Sequence, residues 1–462
     1  MTVRQFYIRL FMIPVFALAA APVAAEDIPT AGPGCSSKPC SLNETLALAV
    51  EGHALVRAAR GGLEVFEAKL KAAKHGWVPS FSATGSLTAL PRKWGDPMIG
   101  GTDSSIENWR PWVRGELSAT MPIYTFGKIS TLKKMARAGI DVGKAQVHIA
   151  RSRVEGMAVE AYYTLQMGHQ MAELLEEGEG YLKRVREYLE DLRDRDDESF
   201  DDVDMLRLKI YESDVAGYRL DARRAEELAY RGLELLTGLD RGNFQPPSKL
   251  VSLEVVLQPK DKYVAVAMTT RGELMALAGA MQAQRLQISL EKRNFFPDFF
   301  LGATLRGGRA WSVERQDSPF ANEPYNSAYG GGAVGLRWKL DTTKRILALD
   351  EARAGRRRIL AQYEALQQQV IMEVETAYAE LLDLKKKLKL TYKAYKAARG
   401  WVIARLDTYE SGFGTFRDVG DGLGAFFRQR IAWAQVQLEY NVGLAKLAHA
   451  CGLQLKDIAS IE

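Results

Sequence analysis

The sequence repeats itself over most of its length. Three short matches share one spacing of 216 residues (352 − 136 = 216). The matched pairs are Ala136-Arg137-Ala138-Gly139 with Ala352-Arg353-Ala354-Gly355, Ala161-Tyr162 with Ala377-Tyr378, and Asp202-Val203 with Asp418-Val419. Pro79 and Pro297 lie at nearly the same spacing (297 − 79 = 218). Agreement among independent matches over this distance predicts an internal duplication, which fixes the architecture.

Each half has the same predicted order of elements: a helix, two strands, a long helix, a polar tip and a second long helix. The first repeat is predicted over residues 26–250, with a strand pair at about 79–124 and a long helical hairpin at about 127–240. The second is predicted over 251–462, with strands at about 297–340 and a hairpin at about 341–455. The opening helix is predicted as one segment from Leu42 to Gly76. Pro79 and Pro297 mark the helix-to-strand transitions, because proline disfavours a helical conformation in the residue before it.

The predicted strands alternate between apolar and polar residues. In the first half Val113 and Leu117 alternate with Arg114 and Glu116, and a return strand in the second half is predicted over 334–340. Strands of roughly 9 to 11 residues cross a bilayer when tilted. A half-buried soluble sheet has the same alternation. The long loops between strands, together with the export predicted from the N-terminus, favour a membrane barrel. Four strands cannot close such a barrel alone, so the prediction requires an oligomer.

The helices after the strands are unusually long. No proline occurs from Gly127 to Arg195, and Val154, Ala158 and Leu165 have coiled-coil-like spacing. A helix of this length extends roughly 100 Å. The sequence leaves open whether these helices enclose a tunnel or form a solvated scaffold.

The N-terminus predicts export. Arg4 and Arg9 precede an apolar run over 10–21, and a cleavage site near Ala25 gives a signal peptide over residues 1–25. An alternative makes Cys35 a lipidated N-terminus. Outside the cytoplasm disulfides persist, so Cys35 and Cys40 either form a local bridge or remain thiols beside a buried, inert Cys451.

Charge and motif content argue against other functions. The formal net charge is +5, and loss of Arg4 and Arg9 leaves 5 − 2 = +3, which is far from the basic excess of a nucleic-acid-binding protein. The five histidines lack metal-ligand spacing, and no glycine-rich phosphate loop is present. The sequence therefore predicts a protein that is not an enzyme and has no cofactor and no metal site.

Several segments resemble the TolC-like outer-membrane efflux protein family (outer membrane factor). They are residues 42–79, Met121-Pro122-Ile123-Tyr124-Thr125-Phe126-Gly127, and Tyr409-Glu410-Ser411-Gly412 followed by Asp418-Val419. The resemblance implies a mostly α fold with a membrane β-barrel. In it a homotrimer forms a twelve-stranded barrel, continuous with an α-helical periplasmic tunnel. It also implies a location in the outer membrane of a Gram-negative bacterium, extending into the periplasm.

The implied function is a passive exit duct of a tripartite efflux or type I secretion system. Its partners would be a periplasmic adaptor (membrane fusion) protein, an inner-membrane transporter and outer-membrane lipid, with no nucleic acid. The alternative is a periplasmic structural coiled-coil protein without a pore. The sequence does not identify the cargo.

The resemblance also implies a periplasmic gate. Its residues are Asp202, Tyr409, Arg417, Asp418 and Asp421. Arg417 lies beside Asp418 and offers a charge partner, although the family's basic residue falls on Gly414. Threefold symmetry would turn Asp418 and Asp421 into an acidic ring that favours cations. The adaptor-docking tips are predicted at Phe200, Val203, Gly412, Phe413, Gly414 and Val419. An acidic cluster over 191–204 is either solvated, self-repelling, or a site for a basic adaptor or a divalent ion.

Overall fold

The computed structural model describes residues 40–94, 103–104, 107–196, 200–244, 250–315, 323–411, 413 and 415–460. The predicted signal peptide and Cys35 lie outside these residues. The first half contains α1 (Leu42–Gly52), α2 (Ala54–Lys74), β1 (Ser80–Leu90), β2 (Lys93–Trp94), β3 (Asp103–Ser104), β4 (Arg110–Tyr124), α3 (Lys128–Asp194) and α4 (Asp202–Thr237). The second half contains α5 (Lys260–Thr270), α6 (Gly272–Arg293), β5 (Asp298–Ala310), β6 (Ala328–Arg337), α7 (Thr342–Glu410) and α8 (Phe416–Cys451). The chain is mostly helical with a small sheet.

The opening helix of each half is broken, which corrects the prediction of one helix from Leu42 to Gly76. His53 is extended (φ −71°, ψ 136°), and its Nδ1 accepts a hydrogen bond of 3.1 Å from the Leu55 backbone N–H, so the side chain caps α2. Arg271 has a similar conformation (φ −64°, ψ 120°) between α5 and α6. Pro79 and Pro297 stand immediately before β1 and β5.

Four strands form one antiparallel sheet in the order β1-β4-β5-β6. Strand β6 differs from the predicted segment 334–340: it begins at Ala328 and ends at Arg337. The reason is that Gly330 and its neighbours continue the ladder opposite Leu305, while the Trp338 indole N–H donates to the Phe295 carbonyl (3.0 Å) beyond the strand end.

The two faces of the sheet differ in polarity. Directly paired residues of neighbouring strands share a face, and Leu117 pairs with both Ala83 and Leu305. This apolar face is exposed, since Leu87 and Val334 are 73% and 71% accessible. On the other face the Ser82 and Ser118 hydroxyls lie 2.7 Å apart. Arg306 donates to Glu116 on that same face, with Nη2 2.6 Å from Oε2.

The helices follow the same order as the strands. α2 and α4 pack on one flank of α3, α6 and α8 pack on its other flank, and α7 packs on α6 and α8. At 67 residues, α3 is about 100 Å long. Val154, Ala158 and Leu165 of the predicted coiled-coil spacing are buried. Within the described chain, no helix combines the length and apolarity that a membrane span requires.

Cys451, the last residue of α8, is a free and fully buried thiol in the core formed by Tyr263, Val370, Leu381 and Leu447. Cys40 is buried and disulfide-bonded. Its predicted partner, Cys35, lies outside the described residues, so the pairing stays a prediction.

Burial raises the pKa of the Cys451 thiol to about 12. Because the thiolate is the reactive form, we expect Cys451 of the folded protein to resist N-ethylmaleimide at pH 8 and to react fully after denaturation without reductant. Mass spectrometry of the adduct measures this. A Glu67→Cys variant, whose new thiol lies at an exposed position on α2, should label in the folded protein. Labelling of Cys451 at the rate of that surface thiol would contradict the prediction.

Candidate functional site

The two long helical hairpins end at tips that lie against each other. The hairpin of α3 and α4 is held by ion pairs of Arg186 with Glu212 and of Arg219 with Glu179. Under the tips, a cluster of buried side chains joins this hairpin to α8; its members include Leu175, Leu182, Leu208, Val215 and Phe427. Of the predicted gate residues, Tyr409 packs against this cluster.

Tyr409, near the end of α7, contacts the first hairpin through Tyr188. The two ring centroids are 6.1 Å apart, with the rings nearly perpendicular at 79°. Burial raises the pKa of Tyr409, and the hydrogen bond with Tyr188 and the nearby Asp204 carboxylate add to the effect. Tyr409 therefore stays a neutral phenol across the physiological pH range.

Asp421 of α8 is the second connection between the hairpins. Its Oδ1 accepts a hydrogen bond of 3.2 Å from the Tyr211 hydroxyl of α4. Gly420 provides the space for this contact, because a Cβ there would lie 2.8 Å from the Tyr211 ring. Burial, and then the Asp421 carboxylate, raise the pKa of Tyr211. Arg417 lies with its Nε 4.0 Å from the Asp421 carboxylate, so its ion pair in the structure is with Asp421.

Asp418 and Asp202 lie in the first turns of α8 and α4. The Asp418 backbone N–H donates to the Thr415 hydroxyl (3.4 Å), which in turn donates to the Asp418 carboxylate (3.0 Å). Asp202 is exposed beside Asp201, whose carboxylate caps α4 by accepting from the Val203 N–H (2.9 Å). Carboxylates at helix N-termini are favoured by the helix dipole, so both hairpins present negative charge at the tip.

The predicted docking residues do not form one surface. Phe413 is 90% exposed and Val203 is 45% exposed, whereas Phe200 is half-buried against the tip cluster. Val419 is buried at 6% exposure, so it is an internal packing residue rather than part of a docking surface. Gly412 and Gly414 lie outside the described residues, as do Asp197 and Glu198 of the acidic cluster.

Sequence reasoning missed Tyr188 and Tyr211, although both join the hairpins. For Tyr211 a signal existed, because the 216-residue spacing matches it with Phe427 (427 − 211 = 216), and Phe427 packs on Gly178 of α3. Over the part of the chain that the structure describes, no group of histidine, cysteine or carboxylate side chains is placed to hold a metal ion.

Long helical hairpins that continue a four-stranded sheet with one exposed apolar face define the fold class of outer-membrane channels. Residues 266–453 match the family model described as outer membrane efflux protein. The resemblance to TolC-like efflux proteins is thus confirmed over this segment, and it supports the predicted role and location of an outer-membrane efflux channel subunit. The alternative of a structural protein without a pore finds no support.

Solved channel structures share the fold over nearly their whole length. VceC from Vibrio cholerae has a TM-score of 0.69 and 17% identity, covering 90% of this chain and 96% of that one. CmeC from Campylobacter jejuni has a TM-score of 0.71 and 13% identity, covering 89% and 85%. The open state of MtrE from Neisseria gonorrhoeae has a TM-score of 0.68 and 16% identity, covering 90% and 89%. No curated protein sequence matches this chain.

Proposed function

We propose that three copies of this chain form a passive exit duct through the outer membrane. Three four-stranded sheets would supply about twelve strands to a closed barrel. In that barrel the apolar face carrying Leu87 and Leu117 faces lipid, and the face carrying Glu116 and Arg306 lines the lumen. The chain comprises two repeats, 26–250 and 251–462, each giving two strands and one long hairpin.

One observation carries this proposal: each edge strand of the sheet is directly connected along the chain to a helix whose outer flank is open. Strand β1 is at one edge of the sheet and follows α2, and β6 is at the other edge and precedes α7. Edge strands present unpaired backbone groups that require a partner. A head-to-tail ring of copies pairs β6 with the next β1 and covers the outer flanks of α7 and α2 in one interface.

The duct is passive and has no catalytic role. Family membership supports this, because the family consists of channel proteins rather than enzymes. Energy for transport comes from an inner-membrane transporter, reached through a periplasmic adaptor that docks at the hairpin tips. Phe413 and Val203, both exposed apolar residues at the tips, are the docking candidates that the geometry favours.

The gate lies where the hairpins meet. Tyr409 on Tyr188 and Asp421 on Tyr211 connect the two hairpins of one chain. Three copies would bring six carboxylates of Asp418 and Asp421 to the mouth, and a ring of fixed negative charge at a constriction favours cations.

Single-channel recording in a planar bilayer tests the gate. We expect the double variant Asp418→Asn and Asp421→Asn to lower the cation-to-anion permeability ratio at least about twofold, measured from the reversal potential in a salt gradient, because it removes the charge ring. The matched control is Glu64→Gln with Glu67→Gln, which removes equal charge from exposed positions on α2, far from the tip in sequence. Traces of the gate variant that coincide with those of the native protein would reject the gate.

A further inference from the structure

The two halves of the chain pack their helices in the same way. A Cβ on Gly139 of α3 would lie 2.7 Å from the Phe66 ring of α2. A Cβ on Gly355 of α7 would lie 2.5 Å from the Gln284 side chain of α6. These contacts correspond, since 355 − 139 = 216 and 284 − 66 = 218. The helix pair α2 with α3 is therefore matched by α6 with α7.

The other flank of α3 is covered within the chain. Ala138 and Ala145 are 1% and 0% exposed because α6 lies over them. At the closest approach, a Cβ on Gly279 of α6 would lie 2.9 Å from Cγ2 of Val142. This contact between the halves, α6 on α3, is the inner seam.

The corresponding flank of α7 is open. Ala354 and Ala361, which match Ala138 and Ala145, are exposed. On the opposite edge of the chain, Gly61 of α2 matches Gly279 (279 − 61 = 218), yet a Cβ on Gly61 would meet no atom within 4 Å. The same positions are thus buried where α6 is present and uncovered where the described chain provides no equivalent helix.

We propose that α2 of a second copy covers this flank of α7 in the register of the inner seam, with Gly61 of one copy opposite Arg358 of the next. This inference rests on the proposed ring of three copies and specifies its contact. Arg358 matches Val142 (358 − 142 = 216) and is exposed in a single chain. A glycine opposite it leaves space for the aliphatic stem of the arginine, which lies along apolar surface while its charge stays in water.

A second copy fits this flank better than a partner of different shape. The inner seam already shows that a helix of this repeat packs on the flank with side chains in contact. The open flanks of α7 and α2 also continue into the open strand edges β6 and β1, so one heterologous interface satisfies helices and strands together. An adaptor helix would cover α7 but leave β6 unpaired.

Engineered disulfides test the register. At the inner seam, a Cβ on Gly279 is 2.9 Å from Val142 Cγ2 and 3.3 Å from its backbone nitrogen. That approach suits the Cβ separation of about 3.5–4.5 Å that a disulfide needs. We expect Gly61→Cys with Arg358→Cys to give covalent dimers and trimers on a non-reducing denaturing gel after mild oxidation of membranes. The native chain and each single variant should stay monomeric on the gel, because Cys451 is buried and Cys40 is already bonded.

A second pair guards against a variant that fails to assemble. Ala54 and Ala365 are exposed alanines that match Gly272 and Ile149, where a Cβ on Gly272 would lie 2.7 Å from Ile149 Cγ1. We expect Ala54→Cys with Ala365→Cys to cross-link in the same way. The matched control is Gly62→Cys with Arg358→Cys, since the nearest atom to a Cβ on Gly62 belongs to Gln146 of its own chain, at 3.9 Å.

The outcomes separate this inference from the proposed function. Cross-linking of both pairs but not of the Gly62 control supports the register. Trimers by native mass spectrometry without cross-linking of either pair, or with equal cross-linking of the control, overturn the register and leave the channel intact. A monomer by native mass spectrometry overturns the proposed ring as well.

Discussion

Replacing Gly452 with alanine should destabilise the protein far more than the same change at Gly238. Both glycines end long helices in the left-handed conformation, at φ +70° and +74°. A non-glycine residue there costs about 1–2 kcal/mol. At Gly452 the new Cβ would also lie 2.8 Å from the Thr270 carbonyl oxygen and 2.9 Å from the Arg271 Cα, which are backbone atoms. Relieving such an overlap adds roughly 1–3 kcal/mol.

Gly238 is the matched control because its Cβ would meet nothing within 4 Å. The measurement is the midpoint of urea unfolding followed by circular dichroism of the detergent-solubilised protein. Gly452→Ala should lower the midpoint at least about twice as much as Gly238→Ala, since only the first adds steric overlap to the conformational cost. Equal shifts would mean that the end of α8 moves away from the α5–α6 break without penalty, contrary to the packing described.

Removing the Arg271 side chain should also destabilise the protein strongly. Arg271 is 7% exposed at the α5–α6 break, where its Nη1 donates to the His449 carbonyl (2.9 Å). Its Nε and Nη2 donate to Glu273 and Glu373, each at 2.8 Å. Arg271→Ala leaves these acceptors without their cation. Breaking a buried ion pair from one side costs about 3–5 kcal/mol; we expect the lower end, because both carboxylates are about one-third exposed.

Lys260→Ala provides the control for Arg271→Ala. Lys260 pairs with Glu375 at 2.7 Å, but both side chains are exposed at 51% and 40%. Exposed pairs contribute little to stability because water and salt screen their charges, so this variant should unfold almost as the native protein does. The thermal midpoint from circular dichroism compares the two variants at one protein concentration. If both midpoints fall equally, the three hydrogen bonds of Arg271 do not hold the break between α5 and α6 to α7 and α8.

The sequence predicted the order of elements well, because the spacing of apolar residues and the positions of proline are local signals. Pro79 and Pro297 stand where helices give way to strands, and the absence of proline after Gly127 matches the 67-residue α3. The breaks at His53 and Arg271 were missed for a physical reason. Histidine is not a usual N-cap residue, and Arg271 is held by partners 102 and 178 residues away in the chain.

The candidate gate was only partly predictable. Asp418 and Asp421 could be named from the family pattern, but their partners are set by tertiary structure. Tyr211 and Asp421 are 210 residues apart, and no local spacing connects them. The exposure of each side chain could not be predicted either: Val419 lies beside Asp418 in the sequence, yet it is only 6% exposed in the folded chain.

The shared order of strands and helices has a mechanical consequence. Each long helix begins within a few residues of a strand, as α3 follows β4 and α7 follows β6. In the proposed trimer, a change in the width of the barrel would therefore strain each long helix that continues from it. The hairpin tips are free ends, joined where Tyr409 contacts Tyr188 and where Tyr211 donates to Asp421. In the proposed trimer we therefore expect the tips to move apart at a lower energetic cost than the barrel end.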